Sequence, residues 1–262
     1  MTSRGQRQLR QDIITTCQQM NALGINQGTS GNVSVRTDGG FLITPSGMPY
    51  DAMKPEQVVE MDLDGGYYGE FLPSSEWRMH FDIYRNRSEA GAVVHTHATF
   101  CTALSCLHEN IPAFHYMIAV SGGTDIRCAD YATFGTQSLS ENMLEALEGR
   151  TACLLANHGM ICFGPNLKKA LWLATEVETL ARQYWYARQV GAPALLDEAE
   201  VQTVLERFKT YGKQTQDLAS GDALAVTPPP RRDAPRKVAA RKKLAKSKAK
   251  SKAKSTGRRR VS

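Results

Sequence analysis

"AVVHTHAT", residues 92–99, decides the reading of this chain. The run of small and β-branched apolar residues reads as a strand. A strand's period of two sends His95 and His97 to one face and Thr96 to the other. Two neutral imidazoles side by side on a buried face suit a divalent metal. The alternative is a pair of hydrogen-bonded structural histidines. A third imidazole comes later, in "LLANHGMICFG" (154–164), where His158 interrupts two apolar runs just before Gly159. Three histidines around an open position are the pattern of a catalytic zinc rather than a structural one.

The segments around these motifs set the fold class. Residues 6–24 read as an amphipathic helix, with Leu9, Ile13, Cys17, Met20 and Leu23 on one stripe and Gly24 at its end. Val33–Arg36 and Phe41–Thr44 read as strands joined at Asp38-Gly39-Gly40, and "VVEMDLDGGYYG" as a further strand and turn. "SSEWRMHFDIYRN" opens a helix that Ser74 or Ser75 can cap, with Trp77, Phe81 and Tyr84 at helical spacing. A helix is expected around Phe100–Cys106, a strand in "HYMIAV", and a strand with a loop in "IRCADYATFGT". Ser138 and Glu141 form a capping box for a helix through Leu147. "TACLLANHGMICFG" reads as two buried strands, residues 166–190 as a long helix, and 197–208 as a last one. Strands and helices do not alternate regularly, and several strands are hairpin-like. The class is therefore α/β with a mostly antiparallel central sheet flanked by helices.

The charge is unevenly distributed. The chain carries +6, but from Arg231 onward fifteen Lys/Arg face one acid, a local +14, which leaves −8 for residues 1–230. The stretch from Thr227 to the end has three consecutive prolines and almost no large apolar residue, so it is expected to be disordered. The expected organisation is a domain over 1–225 and a basic tail over 226–262. The tail would give weak, nonspecific polyanion binding, without interleaved aromatics for base stacking. No run of 18 apolar residues predicts a transmembrane helix, and the amino end lacks the apolar core of a secretory signal. Six scattered cysteines form no clamp or disulfide framework and are expected as buried free thiols in a cytoplasmic protein.

Three elements could hold an anion through amides and hydroxyls. "GTSGN" offers Gly31 and Asn32, "TPSG" offers Ser46 and Gly47, and "PSSE" places Ser74 and Ser75 at a helix start. Each read alone is a turn or a cap. Glu76 follows the serines directly, where it serves either as a proton acceptor between an anion and a dication or as charge compensation at a helix N-terminus.

"TSGNVSVR", "ITPSGMPYD", "PSSEWRMHFDIYRNR", "AVVHTHAT", "HYMIAVSGG", "YATFGT", "ANHGMICFG" and "FKTYGK" occur in this order. The chain resembles, over about residues 7–213, the class II aldolases of the fuculose-phosphate aldolase/adducin-head family. The resemblance implies a three-layer α/β/α domain assembled as a four-fold symmetric homotetramer with active sites at subunit interfaces. It implies Zn²⁺ held by His95, His97 and His158 with Glu76 close by. Phosphate would lie on Gly31, Asn32, Ser46, Gly47, Ser74 and Ser75. Tyr116 matches a proton donor supplied by a neighbouring subunit, Tyr211 a tyrosine that closes over the site, and Phe134 an aromatic on the aldehyde side. The implied reaction is reversible cleavage of a phosphorylated ketose, with L-fuculose 1-phosphate first among candidates. A pentulose-phosphate 4-epimerase would use the same metal and the same retro-aldol chemistry. Manganese or cobalt could replace zinc, although three imidazoles favour zinc. Asn157 stands where relatives often carry another histidine, and Ser46 where they often carry threonine.

Overall fold

The computed structural model describes residues 3–211. The expected domain end near 225 and the basic tail lie outside the described residues. The chain starts with helix α1 (Ser3–Ala22) and runs into a hairpin of β1 (Asn32–Thr37) and β2 (Gly40–Ile43). After β3 (Val59–Asp62) and the short β4 (Tyr67–Tyr68) come α2 (Trp77–Asn86), β5 (Ala92–Thr96) and α3 (Thr99–Ser105). The strands β6 (Ile111–Pro112), β7 (Asp125–Ile126) and β8 (Cys128–Ala129) are two residues each. Helix α4 (Gln137–Ala146), strands β9 (Ala152–Leu155) and β10 (Gly159–Gly164), and helices α5 (Leu167–Val190) and α6 (Glu198–Phe208) follow among the described residues.

Eight strands form one sheet in the order β4-β3-β2-β1-β5-β10-β9-β8, while β6 and β7 pair separately. Every ladder of the large sheet is antiparallel except β8 with β9. Alternation along the strands divides the core in two. Val33, Val35, Leu42, Ala92, Val94, Met160 and Cys162 pack with α1, α3 and α5. Phe41, Ile43, Val93, Ile161 and Phe163 pack with α2 and α4 on the other face. Both faces are covered by helices, so the architecture is the three-layer α/β/α arrangement with a mainly antiparallel sheet. Burying such residues contributes about 1.5–3 kcal/mol each, and this fixes the register: a slip of one residue would move every side chain to the wrong face.

Four local expectations are corrected. "HYMIAV" is not a strand but a 3-10 turn over Tyr116–Ser121, because His115 Nδ1 accepts from the Met117 N–H at 3.2 Å and Gly122, at φ 98°, ends it. These local bonds replace a sheet ladder. Helix α4 is capped by Thr136, whose hydroxyl accepts from the Leu139 N–H at 3.3 Å, so Ser138 lies inside the first turn. Neither Ser74 nor Ser75 is the cap residue of α2. Glu76 holds that position and its carboxylate makes no capping bond. Among the cysteines, Cys17, Cys101, Cys153 and Cys162 are buried, but Cys106 is exposed.

Candidate active site

The site forms where three adjacent central strands end at one edge of the sheet. In the register of β1, β5 and β10, His95 lies opposite Asn32 on one side and Ile161 on the other. His97 follows β5 immediately, His158 comes immediately before β10, and Glu76 sits at the cap that opens α2. His95 shares the α2 face with Val93. Thr96 points the opposite way, where its hydroxyl donates to Ile25 O and lies 3.2 Å from Asn26 Oδ1.

Two glycines make this crowding feasible. A Cβ at Gly159 would lie 2.6 Å from Thr96 O and 3.2 Å from the His97 ring. One at Gly31 would lie 2.6 Å from both His95 O and Asn26 Oδ1.

The three imidazoles meet face to edge, with ring centroids 5.1 Å apart for His95–His97, 4.8 Å for His95–His158 and 4.9 Å for His97–His158. One donor atom from each of Glu76, His95, His97 and His158 lies within 4.8 Å of all the others. Glu76 Oε2 is 3.2 Å from His95 Nε2, and its Oε1 is 3.0 Å from His158 Nε2. His95 Nδ1 donates to Met160 O at 2.9 Å, which leaves the Nε2 lone pair facing the cluster. Glu76 Oε1, His95 Nε2 and His97 Nε2 are buried and make no hydrogen bond. Buried acceptors left unpaired are costly. Four converging acceptors with three imidazole nitrogens fit a small dication, and that donor set suits zinc.

Burial alone would raise the Glu76 carboxyl, but the His95 and His158 imidazoles outweigh it and hold the group well below the usual carboxylate range. His95 is raised: burial opposes its charge, but the Glu76 carboxylate prevails. His97 is pulled down to about 4 by burial and by its two neighbouring imidazoles. A histidine held neutral in this way is ready to be a ligand.

A cleft of about 450 Å³ opens over this cluster. Ser46, Gly47, Ser75, Glu76, His97, Phe134 and His158 line it, together with Thr29, Ser30, Tyr131, Ala132 and Asn157, which the sequence reading did not assign. Gly47, at φ 66°, makes the tight turn that the sequence suggested. Gly31, Asn32 and Ser74 are not among the lining residues. Tyr50 OH donates to Gly31 O, and Ser74 Oγ accepts from the Glu76 N–H at 3.3 Å. Asn32 is buried, and its Nδ2 donates to Glu76 Oε2 at 2.9 Å. Tyr116 and Tyr211 stand outside the cleft. They flank Phe208, at centroid distances of 6.4 and 5.5 Å, and both are exposed.

His80 was missed altogether. It is fully buried one helical turn after Glu76, between Asn32 and Ser34. Burial, and then the nearby His95, pull it down to about 3. The sequence carries half of the signal: Glu76, His80 and Tyr84 recur every four residues, and Asn32 and Ser34 are two apart, but only the fold sets them opposite one another.

Residues 11–185 match the model of the family described as class II aldolase and adducin N-terminal domain. A 5-methylthioribulose-1-phosphate/5-deoxyribulose-1-phosphate aldolase of Rhodospirillum rubrum is 53% identical over 208 residues, 79% of this chain and 94% of that protein. The L-fuculose phosphate aldolase of Escherichia coli K12 is 51% identical over 210 residues, 80% of this chain and 98% of that protein. A solved structure of an L-fuculose 1-phosphate aldolase superposes with a TM-score of 0.75 at 41% identity, covering 77% of this chain and 96% of that one. Fold, motif order and these relatives agree: the chain belongs to the class II aldolase and adducin N-terminal domain family, as one of its aldehyde-lyases.

Proposed function

We propose that this aldolase reversibly cleaves a ketose 1-phosphate to dihydroxyacetone phosphate and a short aldehyde. L-Fuculose 1-phosphate, which yields L-lactaldehyde, is the first candidate. The observation that carries the reading is the convergence of Glu76, His95, His97 and His158 beneath a cleft lined by Ser46, Gly47 and Ser75. His95, His97 and His158 would hold Zn²⁺, and the bound ion would supply Lewis-acid stabilisation of negative charge developing on the substrate's oxygens.

The remaining roles belong to the chain's own side chains. In the condensation direction Glu76 takes the proton from the carbon next to the carbonyl of dihydroxyacetone phosphate. Ser46, Gly47 and Ser75 orient the phosphate through hydroxyls and amides, with Gly31, Asn32 and Ser74 supporting that lining from behind, and so present one face of the donor to the aldehyde. Tyr116 protonates the incoming aldehyde oxygen from a neighbouring subunit of a homotetramer, and Tyr211 closes over the site. The exposure of Tyr116 outside the cleft of its own chain supports a role across an interface.

A second substrate reading is favoured by the Rhodospirillum rubrum relative and by a cleft wall of Tyr131, Ala132 and Phe134. In that reading the aldehyde is acetaldehyde or its methylthio derivative, without the hydroxyl of lactaldehyde. A panel of L-fuculose 1-phosphate, 5-deoxyribulose 1-phosphate and 5-methylthioribulose 1-phosphate, coupled to detection of dihydroxyacetone phosphate, ranks them by kcat/KM. Fuculose is displaced if either pentulose leads by ten-fold or more, about 1.4 kcal/mol. Glu76→Gln is expected to keep its metal and lose about 10²–10⁴-fold in turnover. Wild-type turnover in that variant removes Glu76 from the chemistry.

A further inference from the structure

His80 is a buried ionisable group that the proposed chemistry does not use. Its Nδ1 is 2.6 Å from Ser34 Oγ, and its Nε2 is 2.5 Å from Asn32 Oδ1. Ser34 Oγ is also 2.8 Å from Tyr84 Oη, and Asn32 Nδ2 is 2.9 Å from Glu76 Oε2. The five side chains form one unbroken line ending at the carboxylate, and all five are buried.

The direction of every bond in that line follows from its end. A carboxylate only accepts, so Asn32 must turn its NH₂ towards Glu76. Asn32 Oδ1 then faces His80, and two acceptors make no bond, so Nε2 carries the ring hydrogen. A second ring proton would put a fully buried cation beside a cluster suited to a dication, which is costly. Nδ1 is therefore an acceptor and takes the Ser34 hydroxyl hydrogen, and Ser34 Oγ in turn accepts from Tyr84. Polar lines of this kind strengthen when every member is satisfied and fail when one is not.

We propose that His80 is a positioning residue: its Nε2–H holds the Asn32 amide in one orientation, and through Asn32 it aims the Glu76 carboxylate at the imidazole cluster. Without that donor the Asn32 amide is free to turn over and set its oxygen against Oε2, which would push the carboxylate away. The inference rests on the reading of Glu76 as the base.

The test uses the metal-loaded full chain in five forms besides wild type: His80→Phe, His80→Gln, His80→Asn, Glu76→Gln, and the double variant of His80→Phe with Glu76→Gln. His80→Phe should keep its metal stoichiometry and lose about 10–100-fold in kcat, with KM changed less, the range for residues that orient others at a metal site. His80→Gln, whose amide reaches Asn32 Oδ1, should recover most of the loss. His80→Asn is too short and should not, and this pair decides the matter if the Phe variant does not fold. In the Glu76→Gln background, His80→Phe should add less than about two-fold, since coupled residues are not additive. In ¹⁵N-histidine spectra His80 should carry its hydrogen on Nε2. Three results overturn the proposal: wild-type kcat in His80→Phe, an undiminished additional loss in the double variant, or a hydrogen on Nδ1 alone. Wild-type turnover in Glu76→Gln instead defeats the base assignment, whereas an inactive Glu76→Gln beside a fully active His80→Phe defeats only the role of His80.

Discussion

The two faces of β1 are made from different chemistry. Towards α1 and α5 the strand presents Val33 and Val35 to a wholly apolar cluster with Ile13, Ile14 and Cys17. Towards α2 it presents Asn32, Ser34 and Arg36. Asn32 and Ser34 bond to His80, Glu76 and Tyr84. Arg36 donates to Tyr84 O, Arg87 O and Ala90 O at 2.7–2.8 Å and stacks its guanidinium 4.8 Å from the Tyr84 ring. Strand β1 is thus held to its helices through area on one face and through direction on the other. Apolar contact tolerates small displacements; a line of hydrogen bonds does not. The directional face is the one that ends at the site, so polarity sits in the core where a carboxylate must be aimed.

Breaking the directional face at its end should give the largest effect. His97→Ala removes a proposed metal ligand and is expected to lower turnover at least about a thousand-fold, some 4 kcal/mol on the barrier, with the fold retained. Elemental analysis of the purified variant should show metal well below that of wild type, and full metal content with full activity would contradict the assignment. On the apolar face, Ile13→Ala should cost about 2–5 kcal/mol of stability through lost burial and a cavity. Denaturant unfolding measures this, and turnover at moderate temperature should stay near wild type. Ser34→Ala sharpens the contrast with a smaller loss. It removes the donor to His80 Nδ1 and should cost about 1–3 kcal/mol, although Ser34 buries far less apolar area than Ile13. If Ser34→Ala leaves stability and kcat both unchanged, the polar seam is ornamental rather than directional.

Much of the fold was legible because short apolar and β-branched runs bounded by turn residues are a strong strand signal. The hairpin of β1 and β2, the β5 strand and the β9–β10 pair follow from it, and the period of two along β5 gives the opposed placement of His95 and Thr96. Where apolar residues run without a partner strand, the signal misleads. "HYMIAV" has strand-like composition, yet its backbone is satisfied by His115 and by its own turn. Helix starts were off by one or two residues because several nearby residues can act as the cap. Thr136 accepts from the Leu139 N–H and so starts the helix two residues before Ser138, while Ser74 bonds the N–H of Glu76. At the site, the three imidazoles stood out because each interrupts or borders an apolar run. His80 did not stand out. It lies on a helix of mixed composition, and its meaning depends on which strand face that helix meets, which only the tertiary arrangement supplies.

That meeting has a geometric consequence. Four residues along a helix advance about 6 Å, and two residues along a strand advance about 6.6 Å. Side chains every fourth position on α2 and every second position on β1 therefore keep step like the two scales of a vernier, drifting by only about 0.6 Å per rung. Glu76, His80 and Tyr84 interleave with Asn32, Ser34 and Arg36 within that tolerance, and by the Arg36 rung the contacts pass to backbone carbonyls and a ring face. A helix laid along a strand can thus carry a ratchet of about three teeth. Rotating α2 by a single residue would disengage all of them at once.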